Sequence, residues 1–336
     1  MLGRSALPQV DGARRLRVAA ALAAGALVPL AAAATAPAAV VIQRGADNAI
    51  AVLGDDPTNP TVVGTGRCPV LTPDGGTVLF HSVADDALFA VPVTGGEPRL
   101  LAPGAVATSS CSRQAVVSAD GSTVAAQTKN RKIMLVKLAD GALTRLRATT
   151  VSQLAVVPGG GSVVIDRNAK GGGIDLYSVR NRAKLDRRRL TSDRVSFSPT
   201  WAGGRIVYSR IQGGRSTLRS LNTKNRRSKL LVRRPKGWLV SAIGIGPNGG
   251  TVLATTQKFR ERKSGLQTTG PVRIGAVSSR GKVTWRLLSP DEQLLSGVDG
   301  GAAALTVTPS GELIRVGLAD GSRTVLTTGI VSAYGS

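Results

Sequence analysis

Leu71-Thr72-Pro73-Asp74-Gly75-Gly76-Thr77-Val78-Leu79-Phe80 is the stretch whose reading decides the fold. An apolar segment runs into a turn of Pro, Asp and Gly, and a β-branched and aromatic segment leaves it at once. Asp-Gly tolerates the positive φ that a two-residue hairpin turn requires, so the stretch reads as two antiparallel strands joined tightly. The same grammar returns at Val117-Ser118-Ala119-Asp120-Gly121-Ser122-Thr123-Val124 and at Val157-Pro158-Gly159-Gly160-Gly161-Ser162-Val163-Val164. It returns again at Ser198-Pro199-Thr200-Trp201-Ala202-Gly203-Gly204-Arg205-Ile206-Val207 and at Gly246-Pro247-Asn248-Gly249-Gly250-Thr251-Val252-Leu253. A degenerate copy surrounds Asp299-Gly300-Gly301-Ala302. Asp74 and Asp299 lie five intervals apart, a mean period of about 45 residues, which suits a four-stranded propeller blade.

Each unit continues in the same way. A third strand follows the opening hairpin, as at Ala87 to Val91, Ile133 to Leu138 and Thr217 to Leu221. A polar turn and a fourth strand close it, as at Pro98 to Leu101, Lys184 to Leu190, Lys229 to Val232 and Val283 to Leu288. The ends complete the count. Three strands precede the first full unit (Val40 to Gln43, Ala49 to Leu53, Thr61 to Val63), and one segment, Gly329 to Tyr334, follows the last. Pairing the tail strand with the three head strands gives a seventh blade and removes exposed sheet edges. The expected fold is therefore an all-β, seven-bladed propeller closed by both termini, with a six-bladed ring and stray terminal strands as the alternative.

The units resemble the TolB-like, WD-related propeller family. The resemblance is carried best by Thr72-Pro73-Asp74-Gly75, Leu88-Phe89-Ala90-Val91 and Gly95-Gly96-Glu97-Pro98-Arg99-Leu100-Leu101. It extends over nearly all of 39–336, although other units replace Asp-Gly by Gly-Gly or Asn-Gly. It implies a fold and an exported or periplasmic interaction module. It carries no shared catalytic residues, and a propeller hosts many unrelated functions.

The first 38 residues read as an export signal. Arg14, Arg15 and Arg17 precede the uncharged, Ala-rich stretch Val18 to Ala36, and Ala36-Pro37-Ala38 is a workable cleavage site. An uncleaved N-terminal anchor helix is the alternative. Residues 39–336 then form a single propeller domain at the cell envelope or outside it. Cys68 and Cys111 are the only cysteines, and export favours a disulfide over two free thiols. The repeat puts both at the head of the innermost strands of neighbouring blades, where a bridge is geometrically reasonable.

Composition excludes several chemistries. One His cannot supply a multi-histidine metal site, and two Cys cannot supply a four-thiolate zinc site. His81-Ser82 with Asp85 and Asp86 lacks a nucleophile elbow and reads as a packed strand residue beside a loop. Asp55-Asp56 and Asp85-Asp86 lack calcium-loop spacing. Ser118 to Thr123 matches a sialidase Asp-box only in part and is better read as the blade turn. The Gly159 and Gly171 runs lack the Lys-Ser/Thr of a phosphate loop. No cofactor is expected, and the chain is expected to act without catalysis. A lactonase- or lyase-like enzyme using the central channel is the rival.

Charge has functional reach. The chain carries a formal net charge of +24. Between Arg167 and Lys236 there are 20 Lys and Arg against three acids. Arg187, Arg188, Arg189, Lys224, Arg226, Arg227, Lys229, Arg233, Arg234 and Lys236 are expected to form one positive sector on the rim. Such a sector attracts polyanions. The expected partner is a protein or an anionic envelope polymer, or an anionic lipid surface. Nucleic acid fits least, because ten aromatics in the whole chain leave few base-stacking platforms. Trp201, Trp238 and Trp285 are expected in inter-blade packing, and the protein is expected to be monomeric.

Overall fold

The computed structural model describes residues 39–335 apart from residues 55, 108–110, 112–114, 151–152, 181–186, 203, 246–251 and 263–264. The expected leader at 1–38, residue 55 of the first acidic pair, the turn at 246–251 and residues 184–186 lie outside the described residues. No helix among the described residues is long and apolar enough to cross a membrane.

The chain forms seven four-stranded antiparallel sheets, here numbered from the N-terminal strand and given from the inside of each blade outward. Blade 1 is Ile330–Gly335, Val40–Arg44, Ala49–Leu53 and Thr61–Thr65. Blade 2 is Arg67–Leu71, Thr77–Ser82, Ala87–Pro92 and Arg99–Pro103. Blade 3 is Val116–Val117, Thr123–Gln127, Lys132–Lys137 and Leu143–Thr149. Blade 4 is Leu154–Val156, Ser162–Asn168, Ile174–Arg180 and Arg187–Arg189. Blade 5 is Ser196–Ala202, Arg205–Gln212, Arg215–Leu221 and Ser228–Lys236. Blade 6 is Trp238–Ile245, Val252–Arg262, Gly265–Val277 and Arg286–Leu287, and blade 7 is Gln293–Val298, Ala303–Val307, Leu313–Gly317 and Arg323–Thr327.

The ring closes as the repeat count requires. Val41 pairs with Tyr334 and Ile42 with Ala333, so the last strand supplies the inner edge of blade 1. Seven blades are present, not six. Each sheet is covered on both faces by its neighbours, which is why the middle strands read as near-continuous apolar runs. Val70, Leu79 and Leu88 of blade 2 pack with Val124, Met134 and Val136 of blade 3. Val207, Leu218 and Val232 of blade 5 pack with Val240, Ala254 and Val277 of blade 6. Cys68, on the inner strand of blade 2, is bonded to Cys111, just ahead of the inner strand of blade 3, with Cα atoms 5.4 Å apart.

Two local readings change. Ser198-Pro199 does not sit in a turn; it lies inside the inner strand of blade 5, where Ser198 has φ 52° and the pairing slips between Phe197 and Thr200. The hairpin follows later, ahead of Arg205. In blade 6 the second and third strands run 11 and 13 residues, far beyond Val272 to Val277.

This connectivity defines two faces. Turns joining strands one to two and three to four lie on one, here the upper face. Turns joining strands two to three, and the links between blades, lie on the other, the lower face.

Candidate anion-binding site

The inner strands contribute little charge. Among the described residues, their only charged side chain is that of Arg67. His81 lies on the second strand of blade 2, is 2 % exposed, and has no hydrogen-bond partner at either ring nitrogen. Burial holds its pKa down at about 4, against which a contact with the Ala105 backbone acts weakly. Ser82 bonds to Asp85 at 2.6 Å, not to His81, so the three do not form a triad. No three His, Cys, Asp or Glu side chains among the described residues converge as metal ligands.

The two described acids near the basic stretch, Asp175 and Asp193, are spent inside the fold. Asp175 has a fully buried side chain and accepts from Arg189, from Thr191 Oγ1 at 3.0 Å and from the Arg194 N–H at 3.0 Å. Arg189, expected in the basic sector, is thereby neutralised; the bond to Asp175 raises its pKa. Asp193 pairs with Arg210 at 2.6 Å. Buried carboxylates need such partners, since an unpaired charge away from water is costly.

The expected single sector is divided by the strand directions. Arg187, Lys224, Arg226, Arg227 and Lys229 gather at the upper face, where the third and fourth strands turn. Arg188 joins them by donating from Nη2 to the Lys224 carbonyl at 3.4 Å. Lys236 pairs with Arg215 and packs against Gly214, which places it at the lower face with Arg233 and Arg234. Lys229 and Lys236 sit on one strand seven residues apart, about 23 Å at the usual rise.

The upper end of the groove between blades 5 and 6 opens as a cleft of about 310 Å³. Arg205, Lys229 and Arg280 line it together with Ser220, Ser278 and Ser279, over an apolar floor that includes Val207 and Val277. No acid lines it. Gly281 follows Arg280 with φ 82°, and a Cβ there would run into the Leu231 carbonyl; the glycine lets the blade 6 turn approach blade 5 this closely. Lys229 was legible in the sequence. Arg205 and Arg280 were not singled out, because they belong to different repeats and meet only across the groove.

The register explains why the cleft is open. Arg99 pairs with Ala90 next to Leu79, Arg188 with Ser178 next to Val164, and Lys229 with Ser220 next to Val207, so the three hold equivalent places in blades 2, 4 and 5. Arg99 donates to the Leu138 carbonyl of blade 3 at 2.8 Å, and Arg188 to the Lys224 carbonyl of blade 5. Arg286 in blade 6 does the same to the Leu318 carbonyl of blade 7 at 3.1 Å. Lys229 makes no such bond among the described residues. A lysine lacks the planar fork that reaches sideways to a carbonyl, and the cleft occupies the place of the missing rivet.

At the lower part of the same groove, Arg234 stands over two indoles. Its Cζ is 5.0 Å from the Trp238 ring and 5.3 Å from that of Trp285. Arg273 and Lys258 approach Trp238 at 5.3 and 5.9 Å. Burial and then the Arg273 charge push the Arg234 pKa down. Trp285 packs against the blade 5–6 core and Trp201 against that of blades 4 and 5, as inter-blade packing requires. A Cβ on Gly275 would run into the Thr284 carbonyl and the Val283 side chain, so the glycine lets the outer segment that carries Trp285 approach.

No protein-family model matches the sequence, and no curated protein does. Solved structures share the fold. The oligogalacturonate lyase of Vibrio parahaemolyticus aligns with a TM-score of 0.58 at 11% identity, covering 87% of this chain and 85% of that one. TolB from Acinetobacter baumannii aligns with a TM-score of 0.52 at 13% identity, covering 88% and 81%. The Swd1 β-propeller domain of Myceliophteria thermophila aligns with a TM-score of 0.53 at 14% identity, covering 78% and 87%. The expectation of a chain without catalysis is corrected here: enzymes stand among these neighbours beside TolB, so the propeller is as compatible with catalysis as with binding. At these identities the likeness is one of fold.

Proposed function

We propose that the protein is an exported, monomeric propeller that holds an anionic polymer of the cell envelope along the basic upper rim of blades 4 to 6. The cleft between blades 5 and 6 seats one of the polymer's acidic groups. The observation that carries this reading is the lining of that cleft, three cations and three serines without a carboxylate. Hydroxyls and charged donors around an apolar floor suit an oxyanion carried on a carbon skeleton. Arg187, Arg188, Lys224, Arg226 and Arg227 extend the field along the rim, where exposed charge draws a polyanion over several Debye lengths' worth of contour.

The test is binding of dextran sulfate, and separately of phosphatidylglycerol vesicles, to the secreted protein across a salt series. Binding of the polymer should fall steeply toward about 1 M salt, where the Debye length is about 3 Å. The double substitution Lys229→Glu, Arg280→Glu should abolish it. Binding that ignores salt, or survives the double substitution, overturns the reading. Preference for the vesicles reassigns the partner to a lipid surface.

A second reading, turnover of the bound polymer, is favoured by the lyase neighbours, whose named substrate is itself a chain of acidic sugars. Incubation with polygalacturonate, followed by the absorbance of unsaturated ends, separates holding from cleaving.

A further inference from the structure

Arg234, Arg273 and Lys258 form the second unmatched group of cations, and they stand apart from the upper cleft. Arg234 and Lys229 share an outer strand and lie five residues apart, about 16 Å at the usual rise. Arg234 comes from blade 5, and the other two from the second and third strands of blade 6. All three approach one ring, that of Trp238, and Arg234 stands over the Trp285 ring as well.

The indoles account for part of this arrangement. A guanidinium over two aromatic faces gains from the ring quadrupoles, and its stem fills the groove. They do not account for the rest. Four arginines elsewhere in the ring are matched by a carboxylate: Arg189 by Asp175, Arg210 by Asp193, Arg315 by Asp299 and Arg323 by Glu292. Arg44 and Arg188 also bury an Nε without an acceptor, but each donates through Nη2, to Asp47 and to the Lys224 carbonyl. Arg234 has no carboxylate and no carbonyl among the described residues, and its Nε is buried without an acceptor. Arg273 and Lys258 likewise have no acceptor among the described residues. Three like charges converging on one indole repel one another, and the aromatic faces offer the donors in the ring plane nothing to bond. A planar fork of this kind is matched by an oxyanion that accepts two parallel bonds.

We propose that the lower end of the blade 5–6 groove is an oxyanion-binding site in which Arg234 presents a fork held flat by Trp238 and Trp285. Arg273 and Lys258 supply the flanking charge. The ligand class is a sulfate or phosphate group, as a free ion or as an ester on a larger molecule. The site is independent of the upper cleft and lies on the other face.

Two of the three tryptophans in the chain belong to the site, so intrinsic fluorescence reads it directly. In the Trp201→Phe protein, titration with sodium sulfate or sodium phosphate should give a saturable change that sodium chloride at equal ionic strength does not. Arg234→Lys keeps the charge and loses the fork; it should weaken binding about tenfold or more. Lys258→Gln, at an exposed position, should weaken it about threefold, and serves if Arg234→Lys fails to fold. Lys229→Glu, Arg280→Glu should leave the titration unchanged, which separates this site from the polymer cleft. Stronger saturation by a sulfated polysaccharide than by sulfate identifies an ester as the source. A change that tracks ionic strength alone, or that is the same in Arg234→Lys and Lys258→Gln, overturns the proposal.

Discussion

The junction between blades 2 and 3 and the groove between blades 5 and 6 are built from the same repeat, and they treat polar groups in opposite ways. At the first junction two ties cross between the blades. A disulfide joins the inner ends, and Arg99 caps the Leu138 carbonyl at 2.8 Å from the outer strand. Asp120 carries the pattern onward, accepting from its own turn and, at 2.6 Å, from the Gly159 N–H of blade 4. At the second junction the apolar core is equally continuous, but its upper and lower ends leave cations without acceptors among the described residues. The difference teaches that inter-blade cohesion here comes from the buried strands, while the ends of a groove are free to be closed or left open. Where they are closed the region is scaffold; where they are open it can hold a ligand.

The sharpest way to test that division is to remove the covalent tie. Cys68→Ser with Cys111→Ser opens a loop of 43 residues in sequence separation. By the chain-entropy model this should cost about 4 kcal/mol, read as a lowered denaturant midpoint with an unchanged slope. Polymer binding of the folded fraction should be unaffected. A loss of binding at retained fold would show that the two regions are coupled.

Acid tests the same region through His81. Its folded pKa of about 4 lies below the unfolded value of 6.5, so the unfolded chain binds more protons between these values. Stability present above pH 6.5 should therefore fall as the pH drops through this window, by about 3 kcal/mol, and level off below the folded pKa. His81→Leu should flatten the profile in that window. Asp74 behaves separately: bonds from Thr72 and Gly76 lower its pKa, so its contribution is lost only at more acid pH.

In the open groove the expected effects change kind. Lys229→Glu with Arg280→Glu should reduce polymer affinity by at least about a hundredfold, yet move stability by no more than about 0.5 kcal/mol, since the groups are exposed. Thermal unfolding beside the binding titration checks both. Lys229→Arg is the smallest and most pointed change. It should install the rivet that Arg99 and Arg188 provide, gain about 0.5 kcal/mol, and close the cleft. Weaker polymer binding in a more stable protein is the expected pair of results; unchanged binding would mean that the cleft does not seat the ligand.

Much of this molecule was legible in its chain. Thr72 to Thr77 reads as a turn because its residues answer a local demand: Thr72 bonds Asp74 and the Thr77 N–H, and Asp74 receives the Gly76 N–H. Repetition of that local answer, with one strand left at the tail and three at the head, pointed to closure into seven blades rather than six. The same arithmetic put both cysteines at the heads of neighbouring inner strands, which favoured a disulfide over two free thiols. The site was legible only as composition. The stretch rich in arginine is plain, but Arg189 looks no different from Arg188 until Asp175 is found beneath it.

The sequence by itself pointed to seven blades closed by both termini and favoured the pairing of Cys68 with Cys111, and the structure decided each against its alternative. Each depends on short-range turns and on counting strands. Only the tertiary structure decided that one basic stretch reaches two faces, that Arg205 and Arg280 meet Lys229, and that Arg234 stands over Trp238 and Trp285. A strand about 23 Å long carries neighbours in sequence to opposite ends, and contacts between blades join residues of different repeats. Which cations keep their charge free therefore depends on where each acid is buried, a matter of packing that no local pattern records.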